Sequence, residues 1–86
     1  MRSNQDPALL RAFAAELKAR RAALDISQEA LAYASNVNRT FVAKLELATT
    51  SPSLTSIFRL ANGLQIEPWE LVLSLQARYE KELMSR

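Results

Sequence analysis

Residues 27–46 read SQEALAYASNVNRTFVAKLE, and the fold turns on this stretch. Ser27 stands before Gln28, Glu29 and Ala30 with a hydroxyl placed to accept from the free amides of a starting helix. Leu31, Ala32 and Ala34 supply the apolar positions of this short helix 2. Ser35-Asn36 ends it, because asparagine is the non-glycine residue that best tolerates a left-handed backbone. Asn38 offers a second N-cap only two residues later. Helix 3 then runs from Arg39 to Glu46, with Val37, Phe41, Val42 and Leu45 facing the core at helical spacing. Arg39, Thr40, Ala43 and Lys44 take the opposite face.

Working outward, Asp6-Pro7 opens helix 1, with Asp6 as N-cap and Pro7 at the first helical position, where a missing N–H costs nothing. Leu10, Phe13, Leu17 and Leu24 form one buried stripe along it, and Arg11, Lys18 and Arg20 point outward. On the other side, Ala48-Thr49-Thr50-Ser51-Pro52 is a polar loop and Ser53 caps a fourth helix through Leu54, Ile57, Phe58, Leu60 and Ala61. That helix stops near Gly63. Glu67-Pro68 starts helix 5, which spans 68–84 because nothing from Trp69 to Leu83 breaks it. No strand signal or repeat appears. The expectation is an all-α, compact five-helix domain over residues 7–86, preceded by a flexible arm at 1–6.

With no cysteine and no histidine, the chain lacks disulfides, thiolate or imidazole metal sites, and Ser-His or Cys-His nucleophilic pairs. A single glycine, Gly63, is too few for a phosphate-binding loop or a dinucleotide fingerprint. The nine acidic residues are scattered among basic ones, which reads as solvated helix surface rather than a carboxylate dyad. A binding protein is expected, with no enzymatic activity, no metal and no cofactor. The 86 residues hold no apolar run near the ~20 needed for a membrane span, and no secretory signal is visible. A cytoplasmic protein is therefore expected, without membrane or small-molecule partners.

Two short helices joined by a tight turn, the second opening on a polar N-terminus, have the layout of a helix-turn-helix. Ser27-Gln28-Glu29-Ala30-Leu31-Ala32, Val37-Asn38-Arg39-Thr40-Phe41-Val42, Leu45-Glu46, Ser51-Pro52-Ser53-Leu54 and Leu60-Ala61 together resemble the Cro/Xre family of phage-repressor-type regulators, across about residues 10 to 75. The resemblance implies a sequence-specific, nucleoid-associated regulator of transcription, with helix 39–46 in the major groove and the preceding helix across the sugar-phosphate backbone. It places Gln28, Asn38, Arg39, Thr40, Ala43 and Lys44 against double-stranded DNA: Gln28 on a phosphate, Arg39 on guanine, Lys44 on guanine or phosphate, and Asn38 mainly as a cap. It also implies a partly buried ion pair between Arg21 and Glu46. A chain of this length further resembles controller proteins of restriction-modification systems and phage switches.

The sequence departs from the family pattern at three places. Asn36 replaces the usual glycine of the turn, and Leu47-Ala48 replaces a polar residue and glycine, so helix 3 is expected to run slightly longer. Gly63 lies where the family commonly continues helix 4 with alanine. Charge favours the N-terminal part for DNA, with +3 over residues 1–66 against −1 over 67–86. That excess is modest for counterion displacement, so two half-sites are expected to be engaged together.

Helix 5 carries more apolar surface than one core stripe needs. Leu71 and Leu75 close the core, while Trp69, Val72, Leu73, Gln76 and Tyr79 form an adjoining stripe. Trp69, Val72, Leu73 and Gln76 are the expected homodimer interface on an inverted-repeat operator, unless Trp69 instead covers helix 1 of its own chain. The rival reading is a protein-interaction module of the same fold, an antitoxin or anti-repressor, in which helix 5 matters more than Arg39 and Lys44.

Overall fold

The computed structural model describes residues 5–85, and all its regular elements are helices: α1 (Pro7–Leu24), α2 (Gln28–Ser35), α3 (Arg39–Glu46), α4 (Leu54–Gly63) and α5 (Pro68–Met84). Each helix starts as the side chains dictate. Asp6 accepts from the amides of Ala8 and Leu9, Ser27 from Ala30, Asn38 from Thr40 and Ser53 from Ser56. Glu67 and Glu70 cap α5 reciprocally. Residues 1–4 of the expected arm lie outside the described residues, and Asp6 is fastened to the domain, its second oxygen accepting from the Tyr79 hydroxyl at 2.5 Å.

Four helices end in one way. Asp25, Asn36, Ala48 and Gln65 take left-handed φ values of 54°, 55°, 60° and 63°. At each, paired backbone bonds close the last turn: Ile26 N to Arg21 O, Val37 N to Ala32 O, Thr49 N to Lys44 O and Ile66 N to Ala61 O, with the inner partner beside each. This is the Schellman arrangement, in which a hydrophobic residue beyond the turn docks back on the helix. Ile26, Val37 and Ile66 hold that place and pack against the core. The extension expected for α3 does not occur, because Ala48 adopts the left-handed conformation without a glycine and the helix ends at Glu46.

The core gathers Phe13 and Leu17 of α1, Leu31 and Ala32 of α2, Val42 and Leu45 of α3, Leu60 and Ala61 of α4, Leu64, and Leu71 of α5. Leu24, expected in the buried stripe, is 38% exposed because it lies beyond the part of α1 that the other helices cover. Gly63 has a structural reason: a Cβ there would lie 2.0 Å from Ser35 Oγ, so α2 and α4 cross without room for a side chain. Ser35 Oγ is itself buried without a hydrogen-bond partner among the described residues.

Candidate nucleic-acid interface

Three side chains fix the two short helices relative to each other. Arg21, near the end of α1, donates from Nε to Glu46 Oε2 at 2.8 Å and from Nη2 to Glu46 Oε1 at 2.9 Å. Its Nη1 reaches the carbonyl of Ile26, also at 2.9 Å. Gln28 Nε2 donates to Glu46 Oε1 at 2.9 Å. One carboxylate thus ties the end of α1, the turn after it, the start of α2 and the end of α3. Burial, with Glu46 only 7% exposed, would push that carboxyl upward. The hydrogen bonds from Arg21 and Gln28, with the nearby Arg21 and Lys18 charges, outweigh burial and hold it below the usual carboxylate value. The Arg21 guanidinium moves up in turn, chiefly through its bonds to Glu46.

Around this joint lie the groups that can meet an anion. Ser27 Oγ takes the amide of Ala30, so the amides of Gln28 and Glu29 have no acceptor within α2 and point out at its positive end. Arg39 shares a surface hollow with Arg21, Ser27, Gln28 and Glu29. Asn38 is occupied as the cap of α3, accepting from Thr40 N at 2.7 Å. Arg39, Thr40 and Lys44 are exposed, Ala43 is half-buried between them, and Val42 and Leu45 turn inward. Of the six residues expected at DNA, Arg39, Thr40, Ala43 and Lys44 lie on the outer side of α3, Asn38 caps it, and Gln28 is half-buried at the start of α2 with its side chain on Glu46. Gln28 has a role the sequence did not announce, as a ligand of the Glu46 carboxylate.

A helix-turn-helix family model matches residues 17–71, taking in α2, α3, α4 and the start of α5. The chain belongs to the Cro/Xre-type helix-turn-helix family. Among solved structures, this helix-turn-helix chain is 40% identical to the restriction-modification controller protein C.AhdI from Aeromonas hydrophila, covering 72% of this chain and 94% of that one with a TM-score of 0.69. A point mutant of the controller protein C.Esp1396I is 27% identical, with coverage of 94% and 98% and a TM-score of 0.78. The C.Esp1396I tetramer in complex with its natural 35 base-pair operator is 25% identical, covering 83% and 93% with a TM-score of 0.76. No curated protein matches the chain.

Helix α5 presents Trp69, Val72, Leu73 and Gln76 to solvent, with Trp69 65% and Leu73 60% exposed. Trp69 is not part of the buried core of its own chain. Tyr79, expected on the same outer stripe, is half-buried instead, because its hydroxyl reaches back to Asp6. Among the described residues, no helix is long and apolar enough to cross a membrane.

Proposed function

We propose that this protein is a sequence-specific DNA-binding regulator of transcription that acts at the nucleoid as a homodimer, each copy laying α3 in the major groove over one half of an inverted-repeat operator. The observation that carries the reading is the juxtaposition of the outer face of α3 with the open amides at the start of α2, with Arg39 in the hollow between them. A helix that crosses the backbone with its N-terminus holds a phosphate there, and the next helix meets base edges with its first turns. In this arrangement the backbone amides of Gln28 and Glu29, together with the Gln28 side-chain N–H that is not given to Glu46, position the protein. Arg39 and Lys44 reach guanine or phosphate, Thr40 supplies a short polar contact, and Ala43 lets the helix approach closely enough for its methyl group to meet thymine. Asn38 serves by holding the first turn of α3.

The solved operator complex of the C.Esp1396I tetramer supports the same use here, including assembly of several copies on one site. The family is one of DNA-binding regulators, and no catalytic step is assigned. Selection of bound sequences from a random DNA pool should return an inverted repeat. Arg39→Ala should then lose ~1–3 kcal/mol of preference at one base pair in each half, while Gln28→Ala lowers affinity for all sequences alike. Recovery of no preferred sequence, together with capture of a protein partner through Trp69, Val72 and Leu73, would replace this reading by the protein-interaction module.

A further inference from the structure

Where α2 crosses α4, two residues work against stability. Ser35 is 2% exposed, and its hydroxyl has no hydrogen-bond partner among the described residues, not even the carbonyl one turn back that a helical serine can take. Gly63 follows from it, since a side chain there would strike Ser35 Oγ. A buried hydroxyl without a partner gives up its hydration for nothing, and a glycine fixed in a helix gives up more backbone freedom than alanine. Alanine at position 35 would remove the orphaned hydroxyl and the atom nearest Gly63 together. Such departures from local rules gather at functional sites.

Ser35 also stands in the wall of an open hollow of about 570 Å³ between the end of α2 and the outer face of α4. Ala34, Leu54 and Phe58 give the hollow apolar sides, with Leu54 73% and Phe58 56% exposed. Asn36, Arg59 and Asn62 border it with polar groups, and none of the residues around it is acidic. The Arg59 guanidinium makes no ion pair or hydrogen bond among the described residues. The size falls within the range of small-molecule sites, which are mostly apolar with a few polar groups that fix orientation.

We infer that this hollow is a binding site for a small arylcarboxylate, with the ring against Leu54 and Phe58, the carboxylate on Arg59, and the Ser35 hydroxyl hydrogen-bonded to the ligand's polar end. An exposed phenylalanine ring favours an offset aromatic partner. A guanidinium with no acid beside it matches a carboxylate through two parallel hydrogen bonds. Rotation about one side-chain bond moves a serine hydroxyl among three positions, so Oγ can leave Gly63 for an acceptor in the hollow. The site goes beyond the DNA reading and does not depend on it, since none of the residues placed at DNA borders it. It does border Asn36, the turn that carries α2 into α3, so an occupant would bear on the reading unit.

The test uses the full chain without DNA, titrated with 3-phenylpropionate and with its uncharged counterpart 3-phenylpropionamide, and followed through backbone amide signals in nuclear magnetic resonance. The carboxylate should shift the amides of residues 34–36 and 54–62 saturably, with half-saturation on the order of 1 mM, as suits a ligand of about eleven non-hydrogen atoms. The uncharged amide should bind about fivefold more weakly. Arg59→Gln, at an exposed position, should weaken the carboxylate about fivefold and leave the amide unchanged. Ser35→Ala should weaken both ligands about threefold and melt at or above the native temperature. A lower melting temperature would show that the hydroxyl already serves the fold, and would remove the observation on which the site stands. Equal binding of acid and amide, or no loss in Arg59→Gln, would overturn the anionic ligand. No saturation up to about 10 mM would overturn the small ligand altogether and leave the hollow to a macromolecular partner. Each of these failures leaves the operator reading intact.

Discussion

Helix α1 is joined to α3 on one side and to α5 on another, and each joint centres on a glutamate withdrawn from water. At the first, Glu46 receives Arg21 and Gln28 beside a core of Leu17, Leu31, Val42 and Leu45. At the second, Glu16 receives Arg20 and Arg78 beside an open groove lined in part by Ala19, Ala23 and Ala77. The same chemistry thus does two jobs. Around Glu46 the ion pair orients helices that apolar packing already holds together. Around Glu16 it bridges α1 and α5 at the edge of an extensive helix contact, next to an open groove.

The sharpest way to separate the two regions is to disable the outer stripe of α5 alone. Trp69→Glu with Val72→Glu should convert the dimer to monomers and reduce operator affinity on the order of 10²–10⁴-fold, the loss expected when two linked contacts become one. The melting curve of the monomer and the fold of α1–α4 should be unaffected, as sedimentation and circular dichroism on one sample can show.

Next comes the contrast between the glutamates. Glu46→Ala leaves the Arg21 guanidinium and the Gln28 amide half-buried without their acceptor, and should cost about 2–3 kcal/mol in denaturant unfolding, below the range for fully buried pairs because Arg21 keeps some access to water. Glu16→Ala should cost only about 1 kcal/mol, since both Arg20 and Arg78 can turn to solvent. Equal costs would erase the distinction between the joints. Acid sharpens it further. The Glu46 carboxyl is held below its usual value, so its stabilisation is fully present above the unfolded value of about 4.3 and is lost as pH falls through the lower folded one. Acid titration of Glu46→Gln should accordingly show a shallower decline below about pH 4 than the native chain.

The smallest effect runs in the opposite direction. Ala48 holds a left-handed turn that glycine adopts without strain, so Ala48→Gly should stabilise the protein by about 0.5–1 kcal/mol. A loss of stability would mean that the methyl group has contacts worth more than the strain.

Local rules made the starts of the helices legible. Asp6, Ser27, Asn38 and Ser53 act within three residues of themselves, so the chain states its N-caps openly. Asn36 was equally readable, because asparagine favours the left-handed turn it occupies. Ala48 and Gln65 were not, since neither prefers that backbone; their turns are held by backbone bonds to the preceding helix, and at Gln65 also by Ile66 docking on the core. Long-range pairings stayed hidden for a related reason. Glu16 looks like one more surface charge until Arg78, 62 residues away, is folded against it. Gly63 looked like a departure from a pattern, and its reason is Ser35 on another helix. The outer face of α3 and the Arg21–Glu46 pair could be read through the family spacing, whereas the hydrogen bond of Gln28 to Glu46 required the end of α3 to be placed beside the start of α2.

Trp69 has one further consequence. It is the only tryptophan in the chain, and it stands largely in water on the face assigned to self-association. Its emission should therefore be red-shifted and readily quenched by iodide in dilute solution, then move to shorter wavelength and become shielded as concentration rises. The protein carries its own optical gauge of assembly, without a dye or a tag, and Tyr33 on α2 and the half-buried Tyr79 lie off the face that Trp69 presents.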